Sequence, residues 1–202
     1  MAKAKIKTPL GKLMWVYVEG DGRDQSEKQD GSKMQKMASI VFHKDSPEAK
    51  KLIAEITKVW EAYKAENPTK IKPATKPKSL GYKPVKDRDT GEETDELIFN
   101  FKTNSFFPDG KPNNVAIYNA KGQKVELGEN GIGNGSIGII FGEAGGYEFA
   151  KQYGVSLYLK GIQLKKLVSK TDTGIEASDI EDLGDDEDAF ISPEGGVPSV
   201  DI

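Results

Sequence analysis

Apolar and polar residues alternate with a period of two over most of this chain, which is the signature of half-buried strands. The segment "LMWVYV" at 13–18 sets Met14, Val16 and Val18 on one face and Leu13, Trp15 and Tyr17 on the other. A glycine-containing polar loop follows. "MQKMASIVF" at 34–42 is a second strand, with Ala38, Ile40 and Phe42 on one face. The period then changes to that of a helix. Leu52, Ile53, Ile56, Val59, Trp60 and Tyr63 form one apolar stripe, so Trp60 and Tyr63 are expected in the core. Asp45 or Ser46 can cap this helix, Pro47 suits its first position, and Asn67-Pro68 ends it, which places it at about 47–66. "ELIFNFKTNSF" at 96–106 is a strand with Leu97, Phe99 and Phe101 on one face and Asn100, Lys102 and Phe106 on the other. Residues 115–127 read as a strand, a turn and a short strand, and "SIGIIFGE" at 136–143 as another strand. In 155–168, Val155, Leu157 and Leu159 point inward, Ser156, Tyr158 and Lys160 outward, and Gly161 shifts the phase as a bulge does.

Five or six strands with one early helix, and no regular strand–helix alternation, predict a mainly β fold: a small antiparallel barrel or sandwich. The intervening segment 64–88 is rich in lysine and proline and reads as an extended basic arm. From residue 171 the periodicity stops. The expected organisation is a folded body, 1–170, and a disordered acidic tail, 171–202.

Charge sharpens that division. All 29 Lys and Arg precede residue 171, together with 21 of the 32 Asp and Glu. The remaining 11 acids lie in the tail with no base. The body carries +8 and the tail −11, and the net charge of −3 conceals both. There is no cysteine, hence no disulfide or thiolate chemistry. No leader-like or membrane-spanning apolar run is evident, and the expectation is a cytoplasmic protein without a membrane partner.

Enzyme chemistry is thinly supplied. His43 is the only histidine and no P-loop is present. "DRDTGEETDE" at 87–96 is a solvated hairpin turn or, less simply, a carboxylate site for magnesium. Gly133-Asn134-Gly135-Ser136-Ile137-Gly138 matches the dinucleotide fingerprint G-x-G-x-x-G, but a strand pattern follows where that turn requires a helix. The alternative is a glycine loop at a barrel rim, bare enough for a ligand backbone to approach. The expectation is a non-enzymatic protein without a cofactor.

The aromatic residues carry more information. Trp15, Tyr17, Phe106, Tyr118 and Tyr158 fall opposite the apolar set, beside Lys102 and Lys160. Rings interleaved with cations on an open sheet stack unpaired bases while the cations meet phosphates; the competing reading puts some of these rings in the core. Lys36, Tyr82, Lys83 and Lys121 complete the candidate nucleic-acid site, with Tyr82 standing among the lysines of the basic arm. In the tail, Asp185, Asp186, Glu187, Asp188 and Phe190 are candidates for partner binding.

The order of "TPLGKLMWVYV", "SIVFHKDSPEAKKLIAEITKVWEAY", "FNFKTNSF", "VAIYNAKGQKV", the glycine loop, "GVSLYLKGIQLKKLV" and the acidic tail resembles the single-stranded-DNA-binding proteins of bacteriophages. The resemblance implies an OB-type barrel and sequence-independent binding of single-stranded DNA in phage replication, recombination and repair. It also implies that the tail recruits replication proteins such as a polymerase, helicase or primase, and that a homodimer can form. In a coliphage relative the tail ends in an aromatic residue, whereas Phe190 is internal here. The rival reading is a barrel adaptor or acidic-tailed assembly protein with no affinity for DNA, and base stacking alone does not separate DNA from RNA.

Overall fold

The computed structural model describes residues 3–127 and 131–170. Among these residues the elements run, in chain order, β1 (Ala4–Lys7), β2 (Gly11–Tyr17), β3 (Arg23–Asp24), β4 (Met34–His43), α1 (Pro47–Glu66), β5 (Tyr82–Lys86), β6 (Glu93–Asn104), β7 (Ala116–Tyr118), β8 (Ile137–Phe149) and β9 (Gln152–Lys166). Five of the strands close on themselves in the order β2-β4-β6-β9-β8 and back to β2. Four of these pairings are antiparallel; the β6–β9 seam is parallel and joins Phe101 to Leu157 and Lys102 to Tyr158. This is the OB-type barrel, with β1, β3, β5 and β7 added at its edges.

The core is the inner face of the ring. Leu13, Ala38, Ile40, Phe99, Phe101, Ile140, Leu157, Leu159 and Ile162 are buried. On β9 the predicted phase shift is present: Phe141 faces Gly161 while Gly142 faces Leu159, so Lys160 is the extra residue. The bulge lets Leu159 and Ile162 both point inward. On β2 a second bulge changes the expected faces. Its register breaks between Met14 and Tyr17, Trp15 has a φ of +48°, and Leu13 joins Val16 and Val18 in the core. Strict alternation across this strand is therefore wrong for Leu13.

Helix α1 closes against the barrel through Ala49, Leu52, Ile56, Trp60 and Tyr63, all buried. Ser46 is the N-cap, its Oγ accepting from the Ala49 N–H at 3.1 Å. Tyr63 lies flat on β8: a Cβ added to Gly146 would stand 2.1 Å from the ring, so only glycine admits it. Burial pushes the Tyr63 phenol up from its ordinary pKa, helped by the Glu148 carboxylate.

The segment after the helix is not a free arm. Lys78 N–H donates to Tyr153 O at 2.7 Å, Val155 N–H to Ser79 O at 2.9 Å, and Asn100 N–H to Gly81 O at 2.9 Å. β5 then pairs with β6. The segment thus fills the opening beside the short β6–β9 seam, and Pro84 is tolerated because β5 is an edge strand. Its lysine side chains Lys70, Lys72, Lys76, Lys78 and Lys83 stay exposed. No helix among the described residues is long and apolar enough to cross a membrane.

Candidate nucleic-acid interface

Three adjoining depressions cross the outer face of the barrel. The first, about 340 Å³, lies over β2 and β3 between Trp15, Tyr17, Arg23 and Met37. The second, about 690 Å³, spans β4, β5 and β6 between Met37, Tyr82, Lys83, Lys102, Tyr147 and Phe149. The third, about 390 Å³, lies between Lys102, Phe106, Phe107, Tyr158, Lys160 and Lys3. Gln25 and Met37 line both the first and the second; Lys102, Ser156 and Leu157 line both the second and the third. Together they form one groove with rings and cations along its length.

At one end the β2 bulge turns Trp15 outward, where it is 42% exposed. Its backbone is held by the glycine loop: Trp15 N–H donates to Asn134 Oδ1 at 2.7 Å. The same loop brackets Leu13, whose N–H donates to Ser136 O at 2.7 Å while its carbonyl accepts from Gly135 N–H at 3.0 Å. Gly138 lies inside β8, where a Cβ would stand 2.6 Å from Gln163 O. The fingerprint glycines serve close chain packing and a turn, and the strand that follows overturns the dinucleotide reading.

Tyr17 already carries cations. The Arg23 guanidinium and the Lys170 ammonium each lie 5.3 Å from its ring centre, and Lys170 pairs with Glu19 at 3.1 Å. The neighbouring loop is built on Asp24, whose carboxylate accepts from Ser26 N–H and Ser26 Oγ at 2.8 Å and from Gly31 N–H at 2.6 Å. These donors, the Ser26 N–H first, hold the Asp24 carboxyl below its ordinary pKa.

At the centre, Lys102 and Lys83 are exposed. Tyr82 is half-buried, its ring 5.1 Å from Phe99, and burial pushes its phenol up. It therefore stands on the core rather than among arm lysines, with an edge left in the groove. At the far end, Lys3 Nζ sits 4.2 Å above the Tyr158 ring. Glu143 neutralises part of this corner by pairing with Lys160 at 3.4 Å and with Lys3 at 3.9 Å. Phe106, Phe107 and Phe149 are 38%, 50% and 75% exposed along this face.

The groove gathers Trp15, Tyr17, Tyr82, Lys83, Lys102, Phe106, Tyr158 and Lys160 of the sequence candidates. It does not gather Lys36, which shares the inward phase of Ala38 and Ile40. Lys36 is 3% exposed, with its Nζ donating to Asn114 Oδ1 at 3.3 Å, and is a buried structural lysine rather than a phosphate contact. Tyr118 on β7 and Lys121 in the turn after it line none of the three depressions. Asp185, Asp186, Glu187, Asp188 and Phe190 lie outside the described residues. Lys3, Arg23, Phe107, Tyr147 and Phe149 were not candidates. Arg23 sits in a segment read as a loop, Phe107 falls just past the strand read at 96–106, and Lys3 reaches Tyr158 only because β1 pairs with β8.

The other chemical candidates have structural roles. "DRDTGEETDE" is the β5–β6 hairpin, with Asp87 Oδ1 accepting from the N–H groups of Asp89 and Thr90 at 2.9 and 2.8 Å. His43 is exposed and its Nδ1 accepts from Asp45 N–H at 3.2 Å.

No protein-family model and no curated protein sequence matches the chain. Solved structures do. The chain is similar to gp2.5, a single-stranded-DNA-binding protein encoded by bacteriophage T7, at a TM-score of 0.62 and 21% identity, over 98% of this chain and 100% of that one. It is also similar to the single-stranded-DNA-binding protein of bacteriophage Enc34 solved in complex with single-stranded DNA, at a TM-score of 0.58 and 14% identity, over 81% and 86% of the two chains. A further structure of the Enc34 single-stranded-DNA-binding protein gives a TM-score of 0.57 at 14% identity, over 87% and 89% of the two chains. At these identities the likeness establishes the shared OB-type fold.

Proposed function

We propose that this protein binds single-stranded DNA without sequence preference, in the groove running from Trp15 to Tyr158. The observation that carries this reading is the continuity of the groove: exposed and half-buried rings recur along it among cations, with Arg23 and Lys170 over Tyr17 and Lys3 over Tyr158. Flat rings accept any base and point charges accept any phosphate, so such a surface selects for unpaired strands and not for sequence. An OB barrel shared with phage proteins that bind single-stranded DNA supports the same reading. The role is non-enzymatic: the body, 1–170, covers and protects DNA exposed during phage replication, recombination or repair. The tail, 171–202, with eleven uncompensated acids and Phe190 as an apolar anchor, recruits replication proteins, and the protein can act as a homodimer.

A mobility-shift comparison of the full chain with single-stranded DNA, duplex DNA and single-stranded RNA of one sequence tests the proposal. Preference for single-stranded DNA over duplex is the expected result. Absence of binding to all three would leave the barrel as a protein adaptor, and equal binding of the RNA would widen the substrate class.

A further inference from the structure

The groove does not end at Tyr158. Lys3, which lines its last depression, also lines a separate cleft of about 620 Å³ between β1 and α1. Four more lysines surround that cleft: Lys5 and Lys7 from the strand, Lys51 and Lys58 from the helix. All four are exposed, and among the described residues none of them forms an ion pair. Glu55 and Glu66 are the only acids on the lining. The floor is apolar, built from Ile6, Val59 and Tyr63.

Five cations converging on one cleft repel one another, and two carboxylates do not offset them. A surface that merely needed solubility would interleave the signs. The arrangement suits a polyanion with apolar faces, and the shared Lys3 makes the cleft continuous with the groove. We infer that a DNA strand leaving the groove at Tyr158 passes Lys3 and enters the β1–α1 cleft, where its phosphates meet Lys5, Lys7, Lys51 and Lys58 and its bases rest on the apolar floor. This rests on the proposed single-stranded-DNA binding and extends its footprint from the barrel face onto the helix.

The test uses the full chain, wild type and the double variant Lys51→Gln/Lys58→Gln. Each is titrated with oligodeoxythymidylates of about 8 and about 16 nucleotides, chosen to span the usual range of an OB site, over a series of salt concentrations. For the wild type, the longer strand should give the steeper fall of log K with log salt, by about 0.7 for each additional phosphate neutralised. The double variant should lose that extra slope and the extra affinity for the longer strand, while binding the 8-mer as the wild type does. Retention of the full extra slope by the variant overturns the inference. Failure of the wild type to bind either length overturns the proposed function itself, a result distinct from the first. Equal weakening for both lengths also overturns the inference, since it makes the two lysines part of general stability or of the groove.

Discussion

Trp15 combines three features rarely found on one residue. It is bulky, it holds a left-handed backbone at φ +48°, and its ring is 42% exposed. A large side chain in that region costs on the order of 1–3 kcal/mol, and nothing in the core recovers it. The conformation is maintained from outside by Asn134, whose amide oxygen holds the Trp15 N–H. Two outcomes follow. Trp15→Asn, which tolerates the left-handed region, should raise or leave unchanged the thermal midpoint while weakening DNA binding by about 1–3 kcal/mol, the worth of one stacked base. Asn134→Ala should weaken binding with little loss of helical and strand signal, because the ring is released from its position. A lowered midpoint for Trp15→Asn with intact binding would make Trp15 a structural residue. Tyr158 and Tyr118 give an internal contrast: Tyr158→Ala should reduce affinity, and Tyr118→Ala, off the groove, should not.

At the scale of elements, most of the strand and helix pattern is legible in the sequence, because inward residues alternate and α1 carries a cap and a stripe. Its failures are local and physical. The β2 bulge reverses Leu13, which no period-of-two reading anticipates. Lys36 obeys the period and is buried by it, because a long stem can enter a core edge when Asn114 meets its ammonium. The basic arm has the composition of a mobile loop, yet long-range pairing with Tyr153, Val155 and β6 fixes it. Composition cannot report such pairing. Two expected outcomes belong to this scale. Gly146→Val should destabilise the protein by about 1–3 kcal/mol or more, since its side chain must displace the Tyr63 ring; an unchanged denaturation midpoint would contradict the packing described. The Asp24 loop adds acid sensitivity. Its folded pKa is lowered from 3.8, so the native state binds that proton less readily than the unfolded chain. Its contribution is complete above the ordinary value and is lost as pH falls through the lowered one. Asp24→Asn should therefore be less stable than wild type at neutral pH, and the difference should shrink below the ordinary carboxylate value. A difference that stays constant well below the ordinary carboxylate value would refute the assignment.

For the molecule as a whole, charge separation along the chain is the dominant property. The body carries +8 and the tail −11; under the proposed function the body meets phosphates and the tail competes for the same cations. Deleting 171–202 should tighten binding to single-stranded DNA at low salt, with the gain narrowing as salt rises. Equal or weaker binding by the truncated chain would remove competition from the account. The separation of charge along the chain is plain in the sequence, as is the mainly β class. The groove is not, because its continuity depends on ring closure through the β6–β9 seam and on β1 bringing Lys3 to Tyr158. The central claim, an aromatic and cationic groove for unpaired DNA, is tested most directly by one measurement. Tryptophan fluorescence of the full chain is followed during titration with single-stranded DNA at several salt concentrations, Trp15 being the exposed tryptophan and Trp60 the buried one. The account predicts saturable quenching that is lost in Trp15→Asn, with log K falling by about 0.7 per phosphate neutralised for each unit of log salt. Absence of quenching, or an affinity indifferent to salt, would contradict it.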